Sequence, residues 1–246
     1  MDRALLLLKA LAEESEGLRL TDAAARTELS PSTAHRLLTT LEYRNFVQFD
    51  PSSALWHVGH QSFAVGSTFI QHRNFVAAAL PFLRRLRDQT RETANLGIIH
   101  NGEMVVLTQV ESREIMRAIT RVGGRSPLTA SGMGKAILAT YAAEDVAAVT
   151  NAHPMKAMTP RTIINRLDLN ADLEVTAARG YAIDNEEYVL GLRCVAAVVR
   201  DHQGEPLCAL SVSGLAIRMT LDRLPELGKL VADSATKLSQ SMLGAS

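Results

Sequence analysis

The segment that most restricts how this chain can fold is Ser30-Pro31 followed by Ala34, Leu37, Leu38 and Leu41. Proline lacks an N–H and has a fixed φ, so it suits the first turn of a helix, and a serine just before it caps the free amides. The apolar residues then recur at i, i+3, i+4 and i+7, which makes a single buried stripe. The complementary face carries Ser32, Thr33, His35, Arg36, Thr39 and Thr40. Two short helical segments precede it. Ala4, Leu5, Leu8 and Leu11 form one, ended by Glu16-Gly17, and Thr21 caps the other through Ala23, Ala24 and Ala25. Two extended segments follow, Phe46 to Phe49 and Leu55 to Val58, joined by the turn-forming run Asp50-Pro51-Ser52-Ser53. Three helices and a hairpin within about sixty residues is the order of a winged helix-turn-helix, in which the Ser30 helix is the recognition helix and the hairpin is the wing.

Short hydroxyls and one arginine suit a major groove, where arginine can take guanine bidentately. Charge alone does not select DNA as the partner. Residues 1–75 hold seven Lys+Arg against eight Asp+Glu, and the whole chain holds 26 against 26. Phosphate binding must then rest on few contacts per subunit, which calls for a dimer. A winged helix that contacts protein instead of DNA is the alternative, and salt-dependent operator binding separates the two.

The rest of the 246 residues reads differently. Residues 59–75 suggest a linking helix with exposed Phe63, Phe69 and Ile70, and Pro81 starts or kinks a further helix to about Gln89. From Thr93 onward the pattern is mixed α/β. Asn101-Gly102 between Asn95–His100 and Met104–Gln109 predicts a type I′ hairpin, because both central residues need φ > 0. Met116 to Arg121 reads as another strand, Lys135 to Tyr141 as a helix, and Leu167 to Arg179 as a helix stopped by Gly180. Val195–Val199 and Leu207–Val212 bracket a second hairpin at Asp201–Gly204, and Leu221 to Leu243 is an amphipathic closing helix. The expected organisation is a DNA-binding domain at 1–59, a linker at 60–76 and an effector-binding domain at 77–246. With 47% hydrophobic residues the chain can bury a core, and no apolar run approaches membrane-span length. Met1-Asp2-Arg3 and the leucines after it lack a small-residue cleavage site, and two cysteines make no disulfide framework, so a cytoplasmic protein is expected.

Thr129-Ala-Ser-Gly-Met-Gly-Lys135 leads into a helix, and its amides offer an anion site or else a turn that needs glycine for φ > 0. It lacks both the Walker and the Rossmann spacing. Ser211 and Ser213 lie two apart on a strand, so both hydroxyls face one side and need partners there. Cys194 begins a neighbouring strand. Asp184 precedes Asn185-Glu186-Glu187, most of which reads as solvated loop. An enzyme acting on a carbonyl acid through Lys135 and Cys194 is a rival reading, but no acid/base pair supports it. His100, His153, His202 and the cysteines have no ligand-like spacing, so no metal is expected.

Thr33-Ala-His-Arg-Leu-Leu38, Gly132-Met-Gly-Lys-Ala136, Gly191-Leu-Arg-Cys194 and Leu210-Ser-Val-Ser-Gly214 together resemble the IclR family of transcriptional regulators, in order along nearly the whole chain. Within it the chain is most similar to the glyoxylate-responsive acetate-operon and allantoin-operon repressors. The resemblance implies an α+β architecture: an N-terminal winged helix-turn-helix, a linker helix and a C-terminal GAF-like α/β domain. It implies dimers paired into tetramers on palindromic duplex DNA, no cofactor, and a small 2-oxo acid such as glyoxylate as effector. Ser32, Thr33, His35, Arg36 and Thr39 would then meet DNA, with Arg44, Ser52 and Ser53 on flanking phosphates. The acid would meet the backbone of Gly132 and Met133 and the side chains of Asp184, Cys194, Ser211 and Ser213, with Ala118, Ser126 and Leu192 lining the cavity. Met133 stands where glyoxylate responders usually carry alanine, and Ser126 where a larger apolar residue is common, which puts the pocket's volume in question.

Overall fold

The structure is a computed structural model and describes residues 1–14, 16–71, 74–116 and 121–243. The chain divides into two compact units, Met1–Arg73 and Asn74–Ser246.

In the first unit, α1 (Asp2–Ala12), α2 (Leu20–Arg26) and α3 (Pro31–Tyr43) precede a two-stranded antiparallel sheet of β1 (Val47–Asp50) and β2 (Leu55–Val58), and α4 (His60–Gln71) follows. The Ser30 hydroxyl accepts from the Thr33 N–H, and Pro31 occupies the first turn, as the sequence pattern dictates. Ala34 and Leu38 of α3 are fully buried with Leu7, Leu11 and Ala23, while Leu37 and Leu41 pack at the margin. Trp56 of the hairpin closes this core and pairs its backbone with Leu18. Helix α2 starts one residue before the expected cap: Arg19 is its N-cap and the Thr21 hydroxyl bonds Asp22 inside the first turn. Phe63 of α4 is 79% exposed.

The second unit begins with α5 (Asn74–Thr90), which holds Pro81 in its interior, so of the two roles open to that proline it does not start the helix. The proline removes one donor. Burial of Val76, Ala79, Leu83 and Leu86 along the same helix outweighs that loss. A six-stranded antiparallel sheet follows, in the order β5 (Arg125–Pro127), β4 (Glu103–Val110), β3 (Thr93–His100), β8 (Pro206–Leu215), β7 (Leu192–Arg200), β6 (Ala182–Asn185). Asn101 and Gly102 both have positive φ, 51° and 74°, so the β3–β4 turn is the predicted one. Helix α5 and the closing helix α9 (Leu224–Leu243) cover one face through Leu83, Leu86, Leu227 and Val231. Helices α6 (Gly132–Leu138), α7 (Ala143–Ala152) and α8 (Arg166–Arg179) cover the other through Ile137, Leu138, Val146, Leu169 and Leu173. Gly180 ends α8 at φ 80°.

Several expectations need correction. A 3₁₀ turn, Leu128–Ala130, leads into α6, which starts three residues before Lys135 and ends before Tyr141. Helix α7 and strand β6 have no counterpart in the sequence reading. Of the proposed strand Met116–Arg121, residues 117–120, including Ala118, lie outside the described residues, and neither Met116 nor Arg121 is in a strand. Among the described residues no helix is long and apolar enough to cross a membrane.

Candidate functional site

The exposed face of α3 presents Ser32, His35, Arg36 and Thr39, with Thr33 half-buried beside the cap. The Thr39 and Thr40 hydroxyls bond back to the carbonyls of His35 and Arg36, which fixes their rotamers and leaves their oxygens as acceptors. His35 meets Trp56 edge-on at 6.5 Å, so its ring is oriented by the core. Arg44 caps the end of α3 and lies over the Tyr43 ring. The wing turn is organised by Asp50, which accepts from the Ser52 N–H and from the hydroxyls of Ser52 (2.7 Å) and Ser53 (2.6 Å). These bonds hold the Asp50 carboxyl down at about 2. Both serine protons therefore point at a permanent anion on the wing.

In the second unit, strand register builds a graded surface beneath α6. Thr93, Ser213, Cys194 and Asp184 form one cross-strand row over β3, β8, β7 and β6. Asn95, Ser211, Ala196 and Ala182 form the next, and Gly97 with Ala209 follows. Residues two apart share a face, so these rows run from polar to small apolar along one side of the sheet. The start of α6 lies close above. A Cβ on Gly132 would fall 3.0 Å from the Cys194 sulfur, and one on Gly134 would fall 2.2 Å from the Leu128 carbonyl oxygen. Neither glycine has positive φ. Gly134 is required by close approach to backbone, Gly132 sits tightly against Cys194, and the turn reading is corrected on that point.

Between this helix start and the sheet lies a cavity of about 280 Å³. Gly132, Met133, Asp184, Leu192, Cys194, Ser126, Ser211 and Ser213 all line it, which brings together every expected effector residue except Ala118, outside the described residues. The sequence reading missed Asn95, whose amide donates to the hydroxyls of Ser213 at 2.9 Å and Ser211 at 3.3 Å. Both serine oxygens are thus acceptors for Asn95 and keep their own protons to give elsewhere. Val106, Arg121, Gly124, Arg125, Ser131, Tyr188, Val189 and Arg193 also line it.

Asp184 is buried, and burial raises its carboxyl to about 7, although the Glu187 N–H bond and Lys135 act against the shift. Its Oδ1 accepts from the Glu187 N–H at 2.8 Å. Glu187 is not in solvated loop. It is 6% exposed and grips the fully buried Lys135 ammonium with both oxygens, at 2.7 and 2.9 Å, while Asp172 adds a contact at 3.0 Å. The Lys135 amine is therefore committed to a structural ion cluster. Burial also pushes the Cys194 thiol up to about 12, so it stays protonated and is a poor nucleophile. Neither group is set up for carbonyl chemistry.

Two sequence-family models match the chain: the IclR helix-turn-helix domain over residues 1–51 and the C-terminal domain of the bacterial transcriptional regulator IclR over residues 67–240. The acetate operon repressor of Salmonella typhimurium is 39% identical over 97% of this chain and 88% of its own length. The Thermotoga maritima IclR crystal structure superposes with a TM-score of 0.83 at 26% identity, covering 98% of both chains. An IclR homologue from Microbacterium hydrocarbonoxydans, complexed with 4-hydroxybenzoate, shares the fold at a TM-score of 0.80 and 21% identity over 99% of this chain and 98% of its own.

Proposed function

This chain belongs to the IclR family of bacterial transcriptional regulators, and on that premise we propose that a small 2-oxo acid, glyoxylate first among them, fills the cavity and controls operator binding. The protein is a transcription regulator whose relatives are repressors, not an enzyme. In this reading α3 enters the major groove with Ser32, Thr33, His35, Arg36 and Thr39, and Arg44 flanks it on phosphate, whereas the wing residues Ser52 and Ser53 spend their protons on Asp50 and leave the phosphate set. Homodimers, paired into a dimer of dimers in the cytoplasm, supply enough phosphate contacts to offset the weak local charge. The connecting segment, residues 60–76, carries the response, since a ligand shifts an equilibrium only by contacting its two states differently.

The observation that carries the reading is the convergence of Asp184, Ser211, Ser213 and the amides of Gly132 and Met133 on one cavity. The first amides of a helix have no partner within it and suit a carboxylate. Calorimetry with glyoxylate tests it: the full-length protein binds one acid per subunit, and Asp184→Ala and Ser211→Ala lose at least tenfold in affinity. Wild-type affinity in both variants removes the site.

The Asp184 carboxyl sets a pH dependence. Its folded value, about 7, lies above the ordinary 3.8. Below 7 it is a neutral donor to the acid's oxygen, and above 7 a buried anion that repels it. Affinity for an anionic acid, ionised throughout, then falls about tenfold per pH unit above 7. The sign for stability is the same: the contribution is complete below 3.8 and is lost as pH rises through 7. Calorimetry from pH 6 to 9 checks it, and Asp184→Asn is expected to flatten the profile.

A further inference from the structure

Resting on the cavity reading above, we propose that Met133 sets the length of acid this site accepts. Met133 contributes to the site twice. Its backbone begins α6, while its side chain, 6% exposed, lines the cavity wall. The tail runs down to the sheet over Gly97, a β3 position that has no side chain. A Cβ built on Gly97 would fall 3.0 Å from both Sδ and Cε of Met133, and 3.0 Å from Cε of Met104. The two thioether tails thus fill the space over Gly97. Gly97 lies two residues beyond Asn95 on the same face and pairs with Val106, itself a wall residue. The cavity is therefore polar along Asn95, Ser211 and Ser213 and apolar where Val106 and the Met133 side chain line it. An acid held at the polar end extends its carbon chain toward Met133. Nothing in the polar rows depends on the identity of the residue 133 side chain, so its length changes the room for the chain and leaves the carboxylate's partners in place.

The volume is consistent with this arrangement. A two-carbon acid displaces on the order of three waters, roughly 90 Å³, and leaves much of the 280 Å³ to longer chains or water. Methionine is unbranched and adaptable, which suits a movable end wall.

Calorimetry on the full-length protein with unbranched 2-oxo acids of two to six carbons gives the test. Wild-type affinity is expected to fall beyond the length at which the chain meets the Met133 tail. Met133→Ala removes the atoms beyond Cβ, so the optimum moves to longer acids, each added buried methylene gaining about fourfold. Met133→Leu, whose branched chain reaches less far at similar volume, is expected to lie between the two and serves if the alanine variant is poorly folded. The same optimum in all three proteins overturns the inference while leaving the cavity reading intact. Binding of no acid of any length by wild type and variants overturns the cavity reading and this inference with it.

Discussion

Lys135→Met is expected to destabilise the second unit by about 3–5 kcal/mol, because removing one partner of a buried ion cluster leaves the others unpaired. The ammonium is fully buried between Glu187 and Asp172, and apart from that contact Asp172 Oδ2 has no hydrogen-bond partner. Without Lys135, burial and the nearby Asp172 carboxylate both push Glu187 toward its neutral form, and only the Asn185 N–H bond still acts against them. A thermal melt of a unit this size would shift down on the order of 10 °C. The loss also reaches the cavity, because Glu187 gives its N–H to Asp184 and its carbonyl accepts from the Thr162 hydroxyl. Acid affinity should weaken with stability. Replacing the cluster as a whole, by Lys135→Met with Glu187→Met and Asp172→Asn, is expected to recover most of the melting temperature, since apolar side chains of similar volume need no compensation. A single Lys135→Met variant that melts within 2 °C of wild type would show that the cluster carries little energy.

The largest functional effect is expected at Arg36. Its side chain stands exposed on α3, and the turn around it is held by the Ser30 cap and the Thr40 hydroxyl bonded to its carbonyl. With seven cations against eight anions in residues 1–75, no surplus of phosphate contacts can mask its loss. Arg36→Ala is expected to weaken specific binding by about 1–3 kcal/mol, roughly 5- to 150-fold. Arg36→Lys separates the modes of contact. Lysine keeps a phosphate contact but not the planar fork, so a base-reading arginine loses sequence selectivity in both variants. Retained selectivity with a reduced salt slope in Arg36→Ala would move Arg36 to the phosphate set. Competition binding between a specific and a scrambled duplex, across salt concentrations, makes the distinction.

What could be read from the sequence is whatever depends on near neighbours. Ser30-Pro31 and Asn101-Gly102 dictate their cap and turn through local geometry, and both stand as expected. The shared face of Ser211 and Ser213 follows from strand periodicity alone. Their partner Asn95 lies 116 and 118 residues away, and only the strand order makes it adjacent. A signal was nevertheless present: in Thr93-Ala-Asn-Leu-Gly-Ile98, the face opposite Ala94, Leu96 and Ile98 is polar or empty, which marks a lined cavity. Lys135 gives no comparable signal. Lysine in a helix is solvated by default, and its carboxylates come from α8 and from a turn 52 residues later. Of the two roles the sequence left to Pro81, starting a helix is overruled, because burial against a sheet offsets the donor it removes.

Fluorescence anisotropy of the full-length protein on labelled duplexes from its own upstream region, titrated with glyoxylate and its longer 2-oxo homologues, tests the proposed control most directly. A salt-dependent complex whose apparent affinity moves at least fivefold when an acid is added, with no such movement in Ser211→Ala, is the predicted result. Duplex binding indifferent to every acid that calorimetry shows entering the cavity would contradict it.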